Sequence, residues 1–282
     1  MSPQTHIGVE RAPGSGNRIR LLSYNIQVAI PYSRYRHYLT QSWRHVLPFR
    51  GRTANLERIS QFIKPFDIVG LQELDVGSLR SNYVNQAHYL ALRAGFRYWF
   101  TRVNRDLGHL ARHGMALLSR IAPRHVYSHR LPGRIPGRGA LTAEFGGGPE
   151  PLLVVVVHLA LGKKARRRQI DYLAAEIRRR EHVVVMGDFN CRLEDEEFRH
   201  LLDSTHLCAP EVEHRTFPSW RPRLGLDHIL VTPGLEVEHT QVYPVAHSDH
   251  LPIAVEVKVP ASVGLWTAGA PPAEHTLGTL AV

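Results

Sequence analysis

Three apolar runs in this chain each stop at a side chain able to bind a metal or move a proton: Val-Val-Val-Val-His-Leu at 154–159, Val-Val-Val-Met-Gly-Asp-Phe-Asn at 183–190 and Asp-Ile-Val-Gly-Leu-Gln-Glu at 67–73. A β-branched run of this kind reads as a strand covered on both faces, and an ionisable group at its end needs a partner or a metal. Further polar elements accompany them: Ser-Tyr-Asn-Ile with Asn25, His-Gly-Met-Ala-Leu-Leu-Ser at 113–119, Leu-Asp-His-Ile-Leu with Asp227, and Ser-Asp-His-Leu-Pro with Asp249 and His250. If Glu73, Asp188, Asp227 and Asp249 converge, their repulsion raises their pKa values or demands a cation. A hard divalent ion with oxygen ligands resolves that, and magnesium takes one or two carboxylates plus waters and substrate oxygens. An imidazole titrates near neutrality, so His250 suits proton transfer if a carboxylate fixes its tautomer.

These groups must be delivered by strands. Apolar patterning predicts strands near 19–25, 67–71, 114–119, 152–158, 182–187, 226–232 and 251–258, and helices near 53–64, 83–94, 164–180 and 194–202. The segments between 96 and 158 and between 226 and 258 read as consecutive strands joined by Gly/Pro turns, such as Leu-Pro-Gly-Arg at 131–134. The expectation is mixed α/β, with antiparallel pairs and outer helices, in place of a strict βαβ repeat.

The 282 residues suit one domain over 19–258, with flexible tails at 1–18 and 259–282. The first 18 residues lack the apolar core of a secretory signal, and no run is long enough to span a bilayer, so the default compartment is the cytoplasm. Cys191 and Cys208 have neither the number nor the spacing for a disulfide framework or a thiolate zinc site. With 35 Lys and Arg against 25 Asp and Glu, the net charge is +10. That excess favours polyanionic partners: nucleic acid, anionic lipid headgroups or phosphorylated metabolites.

Two basic stretches could serve such partners. Between 28 and 56 no acidic residue occurs, and Arg34, Arg36, Arg44, Arg50 and Arg52 interleave with Tyr32, Tyr35, Tyr38, Trp43 and Phe49. That mixture suits a groove for phosphates and rings or acyl chains, and equally a surface loop whose aromatics pack on the body. The second, at 162–169 with Arg178, Arg179 and Arg180, shares its helix with Asp171, Glu176 and Glu181 and reads mostly as a solvated face.

Singly, each polar element has a bland explanation, since Gly-Asp-x-Asn also makes an adequate turn. As an ordered set over residues 19–258 they resemble the endonuclease/exonuclease/phosphatase superfamily. The resemblance implies a four-layer α/β sandwich, two mixed, mostly antiparallel sheets face to face with helices outside, and metal-dependent cleavage of phosphate esters. It implies magnesium, with manganese as a substitute, held by Glu73 with Asn25 and Asp249 in support. It also implies an Asp227–His250 pair, Asp188 acting on the attacking water or the leaving oxygen, and Asn190 and His158 donating to the phosphate. Members of the superfamily differ over whether the counterpart of Asp188 or of His250 activates the nucleophile. His228 and His247 have no counterpart to transfer.

The segment Arg-Thr-Phe-Pro-Ser-Trp-Arg-Pro at 215–222, and His158-Leu159 followed by Arg166 and Gln169, resemble uncharacterised bacterial metal-dependent hydrolases of that superfamily. Arg138 in Gly-Arg-Gly-Ala-Leu fits their pattern as a phosphate contact, and fits a structural salt bridge equally. Leu74-Asp75-Val76 after Gln-Glu, and Gly225-Leu226-Asp227-His228, depart from the apurinic endonucleases, while the secreted deoxyribonucleases carry signal peptides and disulfides. The readings left are a nuclease-like phosphodiesterase, a hydrolase of phospholipid or phosphoinositide headgroups, and a non-catalytic anion-binding module. Oligomeric state leaves no mark on the sequence.

Overall fold

A computed structural model describes residues 17–30, 51–133 and 136–265, together with the backbone pairing at 278–279. In chain order the elements are β1 (Arg18–Asn25), α1 (Gly51–Ile63), β2 (Ile68–Asp75), α2 (Gln86–Ala94), β3 (Tyr98–Asp106), β4 (Arg112–Ser119), β5 (Pro123–His129) and β6 (Gly139–Phe145). They continue with β7 (Leu152–His158), α3 (Lys163–Ile177), β8 (Val183–Asp188), α4 (Glu196–Asp203), β9 (Asp227–Val231), β10 (Glu236–Val242), β11 (Ile253–Lys258) and β12 (Gly278–Thr279). Seven strands form one sheet in the order β10-β11-β1-β2-β4-β3-β12, and five form the other, β5-β6-β7-β8-β9. The pairs β1–β2, β7–β8 and β3–β12 are parallel; the other ladders are antiparallel.

The alternation of side chains along each strand builds four layers. Ile19 and Leu21 of β1, Met115 and Leu117 of β4, Val154 and Val156 of β7, and Val184 and Met186 of β8 share one buried cluster between the sheets. The intervening residues face outward: Leu22 and Val69 pack under α1 and α2, and Val155, Val157, Val183 and Val185 pack under α3 and α4. Central strands thus need apolar residues at every position, which is why β7 and β8 read as unbroken valine runs. On α3 the buried face is Ile170, Leu173, Ala174 and Ile177, at helical spacing. The sheets approach closely at Gly70, where a Cβ would sit 3.0 Å from the Val156 methyls.

The fold continues past the predicted boundary at 258. Val259, Val263 and Leu265 are buried in the cluster between the sheets. Gly148 N–H donates to the Val263 carbonyl at 2.9 Å, and a Cβ on Gly146 or Gly148 would collide with the backbone of residues 262–263. A segment of Ala, Ser, Val and Gly looks tail-like by composition, yet its apolar side chains close an end of the sandwich.

Of the Arg- and aromatic-rich stretch, 31–50 lies outside the described residues. Within them, Val28 and Ile30 are buried, and Arg52 Nε donates to the Val28 carbonyl at 3.1 Å. Arg52 therefore holds α1 to the chain after β1. Among the described residues, no helix is long and apolar enough to cross a membrane.

Candidate active site

Strand register assembles the polar groups. His158 pairs with Asp188 across β7–β8, and Asp188 pairs with Asp227 across β8–β9, so the three lie in one row. By two-residue periodicity they occupy the face that Val154, Val156, Val184, Met186 and Ile229 give to the inter-sheet core. Asn25 likewise continues the Ile19–Leu21 face of β1. The apolar core thus becomes polar at the ends of its strands, and the polar ends meet.

Glu73 reaches the same region by an irregularity. Its backbone is left-handed, at φ 56°, and β2–β4 pairing shifts register between Leu71 and Leu74. Such a bulge re-aims a side chain, and here Gln72 is buried against Ser23 while the Glu73 side chain is one-third exposed. Gly187, at φ 152°, brings β8 so close to β7 that a Cβ would strike the Val157 carbonyl. That approach sets the height of Asp188.

The side-chain geometry is dense. Asn25 Nδ2 donates to Asp188 Oδ2 at 3.1 Å, and the Asn190 N–H donates to Asp188 Oδ1 at 3.0 Å. The Asn190 amide also donates to the Leu159 carbonyl at 2.9 Å, tying the ends of β7 and β8 together. His158 Nε2 stands 3.6 Å from Glu73 Oε1 and 3.5 Å from Asp188 Oδ2, with no hydrogen bond. His250 Nδ1 lies 2.7 Å from Asp227 Oδ2, and its ring lies against Phe217 at 4.8 Å between centroids. Asp249 Oδ1 accepts the Ser248 hydroxyl at 3.2 Å, and its backbone carbonyl accepts the Ser219 N–H at 2.7 Å.

Burial and charge pull these groups from their ordinary pKa values. Burial raises Asp188 to about 7, opposed by His250 and assisted by Asp227 and Glu73. Burial raises Asp249 to about 6, again opposed by His250, with Glu73 adding to the rise. For His250 burial favours the neutral ring, but Asp227, its hydrogen bond, Asp249 and Asp188 outweigh it and hold the pKa well above the usual value. His158 is driven well below its usual value by burial first, then by Arg138, His250 and His113.

This donor set fits a hard divalent cation. Four carboxylates share a small volume, two of them with raised pKa values, and buried His158 Nε2 and Asp227 Oδ1 have no hydrogen-bond partner. Ligand-capable atoms of Glu73, His158 and Asp188 lie within 4.8 Å of one another, as do those of Asp188, Asp227 and His250. Asn25 Oδ1 accepts the Gln27 N–H at 3.2 Å, so Asn25 is oriented from both ends of its amide.

Other contributors carry no motif that singles them out. Thr216 Oγ1 donates to Asp227 Oδ2 at 2.5 Å, fixing the carboxylate that holds His250; it lies inside the 215–222 segment noted for its resemblance alone. His113 Nε2 accepts from Arg80 Nη1 at 3.0 Å, and Arg80 is itself buried in an ion pair with Asp75. Arg166, within the basic stretch expected to be mostly a solvated face, is buried and paired with Glu197 at 2.7 Å. His228 Nε2 donates to the Cys191 carbonyl at 2.8 Å, and the ring packs on Phe198, a core role. Arg138 is half-buried and lines a cavity of about 750 Å³ that opens beside Glu73 and His158.

Comparison with known proteins agrees with this architecture. No curated protein sequence matches the chain. An Endonuclease/exonuclease/phosphatase from Beutenbergia cavernae superposes with a TM-score of 0.67 at 19% identity, covering 86% of this chain and 72% of its own. The mannosyl-6-phosphatase of Bacteroides thetaiotaomicron gives 0.64 at 16%, covering 85% and 99%. D. rerio TDP2 complexed with a single-strand DNA product gives 0.62 at 18%, covering 85% and 98%. At such identities these structures share the fold. The sequence profile of the Endonuclease/Exonuclease/phosphatase family, however, matches residues 22–250, from the inner strand β1 to His250 itself, and the chain therefore belongs to that family of phosphoric ester hydrolases.

Proposed function

We propose that the chain is a divalent-cation-dependent phosphodiesterase in which water, activated in the Asp227–His250 corner, attacks a phosphate held against β7 and β8. The observation that carries this reading is the Asp227–His250 contact at 2.7 Å, buried one strand away from Asp188 and two from His158. Asp227 fixes the ring so that its other nitrogen, Nε2, can take a proton from water as the new O–P bond forms. Asp188 faces the same space and can orient that water or supply a proton to the departing oxygen. His158 and Asn190 would donate to non-bridging oxygens, where charge accumulates in the transition state. Glu73, with Asn25 and Asp249, would hold magnesium or manganese. When bound, the cation polarises the phosphoryl group and offsets the carboxylate charge that keeps His250 protonated.

Two substrate classes draw on separate observations. The net charge of +10 and the likeness to a DNA-bound relative favour a nucleic-acid strand. The cavity of about 750 Å³ and the likeness to a sugar phosphatase favour a compact phosphate ester, free or as a lipid headgroup at an anionic surface. The test is magnesium-dependent release from bis-p-nitrophenyl phosphate, single- and double-stranded DNA, RNA and phosphoinositide vesicles, with His250→Ala as control. Turnover that survives His250→Ala would place the chemistry elsewhere, and silence on every ester would leave a binding module.

A further inference from the structure

The cavity beside Glu73 and His158 has a second wall that the hydrolytic groups leave unused. Arg105 at the end of β3, Arg138 ahead of β6, and Lys164 and Arg168 on α3 all line it. Lys164 and Arg168 are four residues apart and so share one face of their helix. Among the described residues, none of these four cations has a carboxylate within salt-bridge distance, whereas Arg166, Arg167, Arg180 and Arg192 nearby in sequence all do. Among the described residues, the only acidic side chain lining the cavity is Glu73. Four like charges gathered around one concave space repel each other, and an anion seated among them relieves that repulsion.

Their placement separates two tasks. His158, buried and unpaired at Nε2, marks the end where the scissile phosphate meets Glu73. The cationic wall faces the portion of the substrate beyond it. A volume of about 750 Å³ accommodates a molecule of nucleotide or sugar-phosphate size. We propose that this cavity is a two-anion site: the substrate is a compact phosphate ester carrying a second phosphate, which Arg105, Arg138, Lys164 and Arg168 bind while the first is hydrolysed. This rests on the hydrolase reading above and favours its compact substrate class. The shared chemistry is a bisphosphorylated headgroup, free in water or carried on a lipid.

Binding tests it apart from turnover. Calorimetric titration of the full chain in EDTA with inorganic pyrophosphate and with orthophosphate should show pyrophosphate binding about tenfold tighter or more, since a second charge-assisted contact is gained. Lys164→Gln/Arg168→Gln should lose about tenfold or more, while Arg178→Gln/Arg179→Gln, on the other end of the same basic segment, should not. Absence of pyrophosphate binding, or unchanged affinity in the folded Lys164→Gln/Arg168→Gln protein, overturns the proposal. The hydrolytic arms compare one p-nitrophenyl phosphodiester with and without a second phosphate, phosphoinositide vesicles, and single-stranded DNA. A kcat/KM preference for the second phosphate supports the site, and vesicles against soluble ester identify its source. Equal rates with and without it, or cleavage of DNA alone, overturn it. Pyrophosphate binding lost in the double variant, with every ester untouched, would keep the anion site and remove the hydrolase reading instead.

Discussion

Thr216 and His250 meet on the same oxygen of Asp227, the hydroxyl at 2.5 Å and the ring nitrogen at 2.7 Å. The carboxylate is thus fixed before it fixes the imidazole, and it comes from the first residue of β9. Asp227→Asn should lower kcat by roughly a hundred- to ten-thousand-fold, the span attributed to a positioned acid–base group, with KM little altered. Thr216→Val should fall between that variant and wild type. Steady-state kinetics on bis-p-nitrophenyl phosphate checks both; equal kcat in Asp227→Asn and wild type would sink the pair.

Glu73 is the carboxylate most open to solvent among the site acids and carries its side chain on a bulge. Magnesium at a hundred times its Kd should stabilise the wild type by about 2.7 kcal/mol. In Glu73→Gln that stabilisation should shrink sharply at the same concentration. Thermal unfolding with and without magnesium measures it directly.

Without divalent ions, Asp188 makes stability depend on pH in a direction opposite to an ordinary salt bridge. Its folded pKa, about 7, lies above the ordinary carboxylate value of 3.8, so between those limits the native state binds the extra proton. The stability it contributes is whole below about pH 4 and is lost as pH rises through 7. Asp188→Asn should flatten this slope in urea titrations run in EDTA. A slope of unchanged size in the variant would assign it to other groups.

Asp75 and Arg80 form an ion pair with side chains 0% and 1% exposed, and Asp75 also accepts from Ser78 and Ser81 hydroxyls at 2.7 Å. Removing one partner leaves a buried charge, so Arg80→Met should cost about 3–5 kcal/mol in equilibrium unfolding. The same variant should release His113, whose Nε2 accepts from Arg80.

Much of this arrangement was legible in the chain. Unbroken valine runs at 154–157 and 183–185 announced strands buried on both faces that end in polar groups, but a run apolar at every position has no alternation, so the face taken by His158 and Asp188 shows only in the pairing. The Glu73 bulge was not legible, because the left-handed residue there is not a glycine and only pairing with β4 reveals the shift. Arg166 misled for another reason: a basic run in sequence does not show that one member turns inward to Glu197 on α4. The same run hid Lys164 and Arg168, whose significance depends on what stands across the cavity from them. Val263 and Leu265 sit in a composition that resembles a tail, and their burial depends on glycines 146 and 148 more than a hundred positions earlier.

Strand pairing puts His158, Asp188 and Asp227 in one row, so a one-residue slip in the register of β8 would turn Asp188 under α3 and Val185 towards the opposite sheet. The reacting groups tolerate no drift in strand length. Arg105, Arg138, Lys164 and Arg168 lie on other segments, near the ends of β3, β6 and α3, and can change in charge without disturbing that pairing. Diversification of substrate range, by natural divergence or by library selection, can run through those segments while the hydrolytic apparatus stays as it is.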